Sequence, residues 1–183
     1  MKPIHVLSLG LAVLALSACN RVPAPDKAPR PVASIQELML NVVDPSADEL
    51  WDSVSEHFTA AGSVRREPKT DADWATLRRH AIILQEAPNL LVAKDRPVAV
   101  KGGKVADEGS PGILTTGQIQ KAIAGDPARF AAAARKLQDT AGKMLLAIDR
   151  KDVAAVELVG SEIDAACEGC HTQYWYPPGK APK

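Results

Sequence analysis

The sequence predicts an all-α domain with four main helices. Only 4% of the 183 residues are aromatic although 46% are hydrophobic, so alanine, leucine and valine are expected to fill the core, as they do between packed helices. Apolar residues recur every three or four positions in four stretches, which is the helical period. A chain of this length can bury one core and does not require a second domain.

The charge balance argues against a nucleic-acid partner. The chain has 22 basic and 22 acidic residues, and no block of like charge stands out along it. Proteins that bind nucleic acid usually carry a basic patch. We therefore expect no nucleic acid among the partners.

The chain opens with an export signal. An apolar run from Val6 to Leu16 follows a basic start, and it is too short to span a bilayer. The run ends in Leu-Ser-Ala-Cys, which resembles the bacterial lipobox. We therefore expect residues 1–18 to be a lipoprotein signal peptide and Cys19 to be lipidated; ordinary secretion and a free thiol are the alternatives.

A proline-rich segment follows the lipobox. Residues 19–33 are expected to form a tether: from Asn20 to Val32 four prolines stand among small and charged residues, which favours an extended segment of at most about 40 Å at roughly 3.1 Å per residue. A leader without a spacing role is the alternative. The folded domain is expected over residues 34–176, followed by a flexible tail over 177–183.

The first helical pattern begins after Ser34, a suitable N-cap. Apolar spacing continues to Phe58, and the pair Asp44-Pro45 predicts a break or kink because aspartate and proline are typical of a helix start. The segment is expected to end before Gly62.

The second helix is expected to start at Thr70, with acidic residues in its first turn. It should run to about Ala87, where Pro88 kinks or ends it. Residues 94–116 lose the period and contain glycines and prolines. This connection is unusually long for a compact domain. Its structure could be a surface loop, a mobile flap, a lid or a small hairpin around Gly102-Gly103, and the sequence does not decide between these alternatives.

After a short helix over residues 118–124, Asp126-Pro127 predicts the start of the third main helix. The turn from Asp149 to Asp152 is so short that the fourth helix must run antiparallel to the third. The apolar stripe of the fourth helix steps by three or four: Val153, Val156, Gly160, Ile163, Cys167 and Cys170.

The most specific motif is Cys167-Glu168-Gly169-Cys170-His171. In Cys-x-x-Cys-His the two thiols add to the vinyl groups of one covalent haem c, and the imidazole binds iron. On a helix the three side chains lie within an arc of about 100°. A redox dithiol would need a strand–helix context and zinc would need a nearby fourth ligand, so His171 favours haem.

Four helices with this motif near the C-terminus resemble the class II cytochromes c, the cytochrome c′ family. The resemblance implies an antiparallel four-helix bundle with covalent haem near one end, often as a homodimer. Tyr174 fits the family's aromatic residue three positions after the histidine. Ile35 and Trp175 stand where the family often has arginines, which leaves the propionate partners unassigned; Trp175 is also a candidate haem contact.

The resemblance also places Met39 on the distal face of the haem. The family's first helix carries Arg-Gln-x-x-(Met or Leu), and here Gln36 is followed three residues later by Met39. A thioether would be a sixth ligand of iron, whereas methionine also serves simply as core packing. His57 and His80 are rival ligands.

The expected function is that of a periplasmic, lipid-anchored, single-electron carrier with His171 and Met39 as axial ligands, and not an enzyme. Its partners would be redox proteins and, through Cys19, a bacterial membrane. A five-coordinate haem that binds or senses NO or CO is the alternative, and a haem-bearing subunit of a larger membrane complex is a third hypothesis.

Overall fold

A computed structural model of the chain describes residues 30–60 and 62–178. Within these ranges the fold is mostly helical, which confirms the all-α expectation. The elements are α1 (Ile35–Leu38), a π-helical turn (Met39–Val43), α2 (Asp44–Ser53), β1 (Ser55–Thr59), β2 (Gly62–Arg66), α3 (Asp71–Leu91), α4 (Thr116–Gly125), α5 (Pro127–Asp149) and α6 (Val153–Tyr174). The expected signal peptide, Cys19, most of the tether and the end of the tail lie outside the described residues.

No helix in the described ranges has the length and apolar character needed to cross a bilayer.

Side-chain caps start the helices where the sequence predicted them. Ser34 and Thr70 each accept a hydrogen bond from the third residue of their helix, whose carboxylate accepts in return from the cap backbone. Asp126 caps α5 just before Pro127, and Asp152 caps α6. Each cap satisfies an amide that has no partner within the helix.

The helical segment continues from Ile35 to Ser53, so the irregularity predicted near Pro45 does not end it. The irregularity is a widened, π-helical turn over Met39–Val43. The Asp44 amide bonds to the carbonyl of Met39, five residues back. Pro45 has no amide hydrogen, and its ring crowds the carbonyl four residues before it. A π-helical turn relieves that crowding without ending the helix.

The prediction that the first helix continues through Phe58 is wrong. The backbone of Val54 is extended, with φ −127° and ψ 95°, and β1 pairs with β2 in an antiparallel hairpin in which Phe58 lies opposite Ser63. The ring of Phe58 is 82% exposed. Phe58 follows Val54 by four residues, which matches the helical period, but in the described structure no core residues cover its side chain.

Helix α3 passes through Pro88 and ends at Leu91, so of the two predicted outcomes, a kink or an end near Ala87, the end is excluded. Pro88 is fully buried and Leu91 is buried. Burial of these two side chains offsets the hydrogen bond that proline cannot donate.

The described helices enclose two contiguous apolar clusters. The larger one joins α2, α3, α5 and α6. The smaller one joins α1, the end of α3, the long connection, α4 and the start of α5.

The connection over residues 94–116 is more than a surface loop. Val98, Val105 and Leu114 are buried in the smaller cluster. The carbonyls of Pro97 and Val98 accept hydrogen bonds of 2.8 and 3.0 Å from the Ile35 and Gln36 amides. The connection therefore supplies backbone partners to the first turn of α1 and holds it in place.

Candidate haem site

An apolar cavity opens between the N-terminal helical segment, α5 and α6. The space between the protein atoms is about 800 Å³, including the part open to solvent. The apolar side chains of its wall include Val43, Ala47, Leu91, Phe130, Ala134 and Leu137.

Helix α6 places all three residues of the haem motif in this wall. Cys167, Cys170 and His171 line the cavity and are half-buried. Burial raises the pKa of both thiols to about 11, and the carboxylates of Asp164 and Asp44 add to the effect at Cys167. The thiols are therefore protonated near neutral pH, whereas disulfide exchange and zinc binding use thiolates.

Met39 reaches the same cavity from the π-helical turn. This turn follows α1 directly. The long connection accepts hydrogen bonds from the first two amides of α1 and so holds that helix in place. The structure thus brings Met39 together with Cys167, Cys170 and His171. Gln36, one turn earlier, has a buried side-chain oxygen without a hydrogen-bond partner.

A second opening lies beside His171. Met39, Asp44 and His171 line both openings, and the long connection contributes Ala106, Asp107 and Ile113 to the second. Its wall is completed by residues that include Gln36, Leu40, Trp175 and Tyr176.

The aromatic residues that follow the motif pack near the histidine ring. The ring centroids of Trp175 and Tyr176 lie 6.5 and 6.1 Å from that of His171. Trp175 lines the second opening and not the main cavity. The main-chain carbonyl of Trp175 accepts a hydrogen bond of 2.8 Å from Leu114, so the long connection also fixes the end of α6.

Carboxylates surround the opening of the main cavity. Burial raises the pKa of Asp44 and so does the nearby charge of Asp48, while His171 lowers it. Glu168 accepts a hydrogen bond of 2.6 Å from the Tyr176 hydroxyl. Burial and this bond raise the pKa of Tyr176 to about 12. Asp44, Asp164 and Glu168 all line the cavity.

The two rival histidines lie elsewhere. His57 is exposed on β1, where its Nε2 is 3.1 Å from the Ser55 hydroxyl. His80 is half-buried on α3, with Nδ1 3.4 Å from the hydroxyl of Ser46. Neither lines the cavity. In the described ranges no three His, Cys, Asp or Glu side chains are grouped as a metal site.

The chemistry of this donor set fits a c-type haem, because two protonated thiols and an imidazole share the wall of one apolar cavity. The family model for Cytochrome C′ matches residues 106–175. That family binds covalent haem c, so the predicted cofactor is confirmed. Members are generally periplasmic and are not typically enzymes. The matched range includes the whole motif and does not reach Met39.

Comparisons with curated proteins and with solved structures found no match.

Sequence reasoning missed the two aspartates of the wall. Asp164 lies one turn before Cys167 on α6, and Asp44 lies five residues after Met39. The helical period would have placed Asp164 beside Cys167. The widened turn changes the register after Met39, so no regular period gives the position of Asp44.

Proposed function

We propose that this protein is a periplasmic, lipid-anchored, monohaem cytochrome that carries single electrons. The observation that carries the proposal is that Met39 and His171 line one cavity together with Cys167 and Cys170. The cysteines would hold haem c through thioether bonds, with His171 as the proximal ligand and Met39 as the sixth. The bound haem supplies a one-electron Fe(III)/Fe(II) couple.

The residues around the cavity support electron transfer because they limit the structural change that accompanies each change in the charge on iron. Much of the cavity wall is apolar, and the rings of Trp175 and Tyr176 pack near the ring of His171. A site that binds its cofactor through four side chains from two helical segments changes little in shape when the charge on iron changes. Axial ligands and burial of this kind set the reduction potential of haem proteins.

We further propose that the four long helical segments form an antiparallel bundle with the haem near one end. Support comes from the short turn between α5 and α6 and from the single apolar cluster that α2, α3, α5 and α6 share. The motif occupies the last turns of α6, next to the connection that covers one end of the helices.

The absorption spectrum of the haem-loaded protein tests the sixth ligand. We expect a low-spin ferric spectrum with the long-wavelength band typical of thioether coordination, and Met39→Ala should abolish that band. Met39→Leu is the matched control, because leucine keeps the apolar volume but cannot bind iron. Both variants should become high-spin and bind CO faster.

A high-spin wild-type spectrum that neither substitution changes would contradict the electron-carrier proposal. That result would instead favour a five-coordinate haem that binds NO or CO.

A further inference from the structure

The zero net charge of the chain conceals a strong separation of charge between helices. The segment over residues 35–53 and helix α6 contain no lysine or arginine. Their charged side chains, apart from His171, are all acidic: Glu37, Asp44, Asp48, Glu49, Asp52, Glu157, Glu162, Asp164 and Glu168. Arginine and lysine side chains lie instead on other helices, such as α3 and α5. The two helical segments that place carboxylates in the wall of the haem cavity are therefore negatively charged.

Three of these carboxylates lie in or near the wall of the haem cavity and form no ion pair with a lysine or arginine of the described structure. Asp44 and Asp164 line the cavity, and Asp48 is close enough to raise the pKa of Asp44. In the described residues no lysine or arginine forms an ion pair with any of the three. His171 acts electrostatically on Asp44, so the unpaired negative charge here belongs chiefly to Asp48 and Asp164.

An open groove between α2 and α6 adjoins this cavity. Its volume is about 770 Å³, including open solvent. The apolar lining residues are Leu50, Trp51, Val54, Val156 and Gly160, and the polar ones are Glu157, Ser161 and Asp164. Glu157 pairs with Arg65 of β2 at 2.9 Å, so Asp164 is the acidic lining residue without an ion pair to lysine or arginine in the described structure. Trp51 and Asp164 line both the groove and the haem cavity. The groove and the cavity are therefore adjacent and share these two wall residues.

We propose that this groove docks a redox partner protein that presents lysine or arginine side chains around an apolar contact. The inference rests on the proposed electron-carrier function. Apolar lining residues with charged residues beside them match the core-and-rim pattern of protein interfaces. The unpaired carboxylate of Asp164, with Asp44 and Asp48 near it on the same side of the cavity wall, would attract a basic surface to the groove. A second copy docked through the same face would bring like charges together.

The transfer itself moves one electron and no proton. The bound haem would supply one electron from its Fe(III)/Fe(II) couple, and the one-electron acceptor of the partner would take up that electron. No covalent bond forms or breaks. The groove would therefore determine how fast the partner binds and how close its acceptor comes to Trp51.

Oxidation of the ferrous haem-loaded protein by small inorganic complexes tests the local charge. The probes are cationic cobalt(III) tris-phenanthroline and anionic ferricyanide, followed by stopped flow over a range of ionic strength. We expect the cationic probe to react faster at low salt and to slow as salt screens the carboxylates beside the groove, while ferricyanide shows the opposite trend. Oligolysine, a stand-in for a basic partner, should inhibit the cationic reaction.

Charge reversals at two sites separate a local effect from a change in net charge. Asp48→Lys should slow the cationic probe at low salt by at least about threefold. Asp139→Lys, on the exposed face of α5, changes the net charge equally and should have less effect. Unchanged haem spectra would show that both variants fold.

Equal effects of the two reversals, or rates for both probes that do not depend on salt, would overturn the docking inference while leaving the electron carrier intact. Failure of the wild-type protein to react with either probe would instead contradict the proposed function.

Discussion

The indole Nε1 of Trp51 donates a hydrogen bond of 2.9 Å to the main-chain carbonyl of Gly160. This bond joins the helical segment that contains Met39 to the helix that contains the haem motif. A Cβ atom at Gly160 would lie 3.5 Å from Cδ1 of the ring, so the contact is close without being crowded. Because Trp51 lines the cavity, this contact also positions one wall of the haem site.

Trp51→Phe should lower the free energy of unfolding by about 1 kcal/mol, because the carbonyl of Gly160 loses its indole donor while an aromatic ring remains. Urea unfolding followed by circular dichroism measures the change. Gly160→Ala is the control: the added methyl makes an ordinary contact, and alanine favours a helix over glycine by about 0.5–1 kcal/mol. A strongly destabilised alanine variant would mean that the helices approach more closely than described.

Local signals predicted much of the helical structure. The caps at Ser34, Thr70 and Asp126 depend on hydrogen bonds within a few residues, so sequence spacing is enough to find them. The haem motif was equally accessible, because Cys167, Cys170 and His171 lie within one turn of a helix that their own apolar stripe predicts.

The structural features that the sequence did not predict depend on contacts between residues far apart along the chain. Phe58 of β1 lies at helical spacing from Val54, and only the pairing of β1 with β2 makes this segment extended. The connection over residues 94–116 is ordered by bonds to Ile35, Gln36 and Trp175, which lie far away in sequence. The separation of charge between helices was likewise not predicted, because the net charge of the whole chain is zero.

A pair of substitutions on α5 tests the register of the core. Met144 is fully buried and Leu146 is 57% exposed, although the two are separated by one residue. Met144→Ala should cost about 2–5 kcal/mol because it leaves a cavity, whereas Leu146→Ala should change stability by at most about 0.5 kcal/mol. Thermal or urea unfolding measures both. Similar losses in the two variants would contradict the helical register of α5.

Glu108 should give the long connection a dependence on acid pH. The Thr116 hydroxyl and amide donate hydrogen bonds of 2.6 and 2.7 Å to its carboxylate, which lowers the pKa of Glu108. Stability from this group is therefore present above its pKa in the unfolded chain and is lost as pH falls through the lower, folded value.

Glu108→Gln tests that dependence. The difference in unfolding free energy between wild type and variant should be largest above about pH 5 and shrink toward about pH 3. Urea unfolding at several pH values, with hydrogen exchange of the Thr116 amide, measures it. A difference that stays constant over this range would show that the hydrogen bonds do not depend on the charge of Glu108.

Cys19→Ser should move the protein from the membrane fraction to the soluble periplasmic fraction. The reason is chemical: lipid is attached through the thiol of the lipobox cysteine, and a hydroxyl does not replace it. Ser17→Ala keeps a small residue before the cleavage site and should leave the membrane fraction unchanged. The fractions are compared by immunoblot, with covalent haem staining to show that export and haem attachment still occur. Equal membrane association of the Cys19→Ser variant and the wild type would contradict lipidation at Cys19 and point to another mode of attachment.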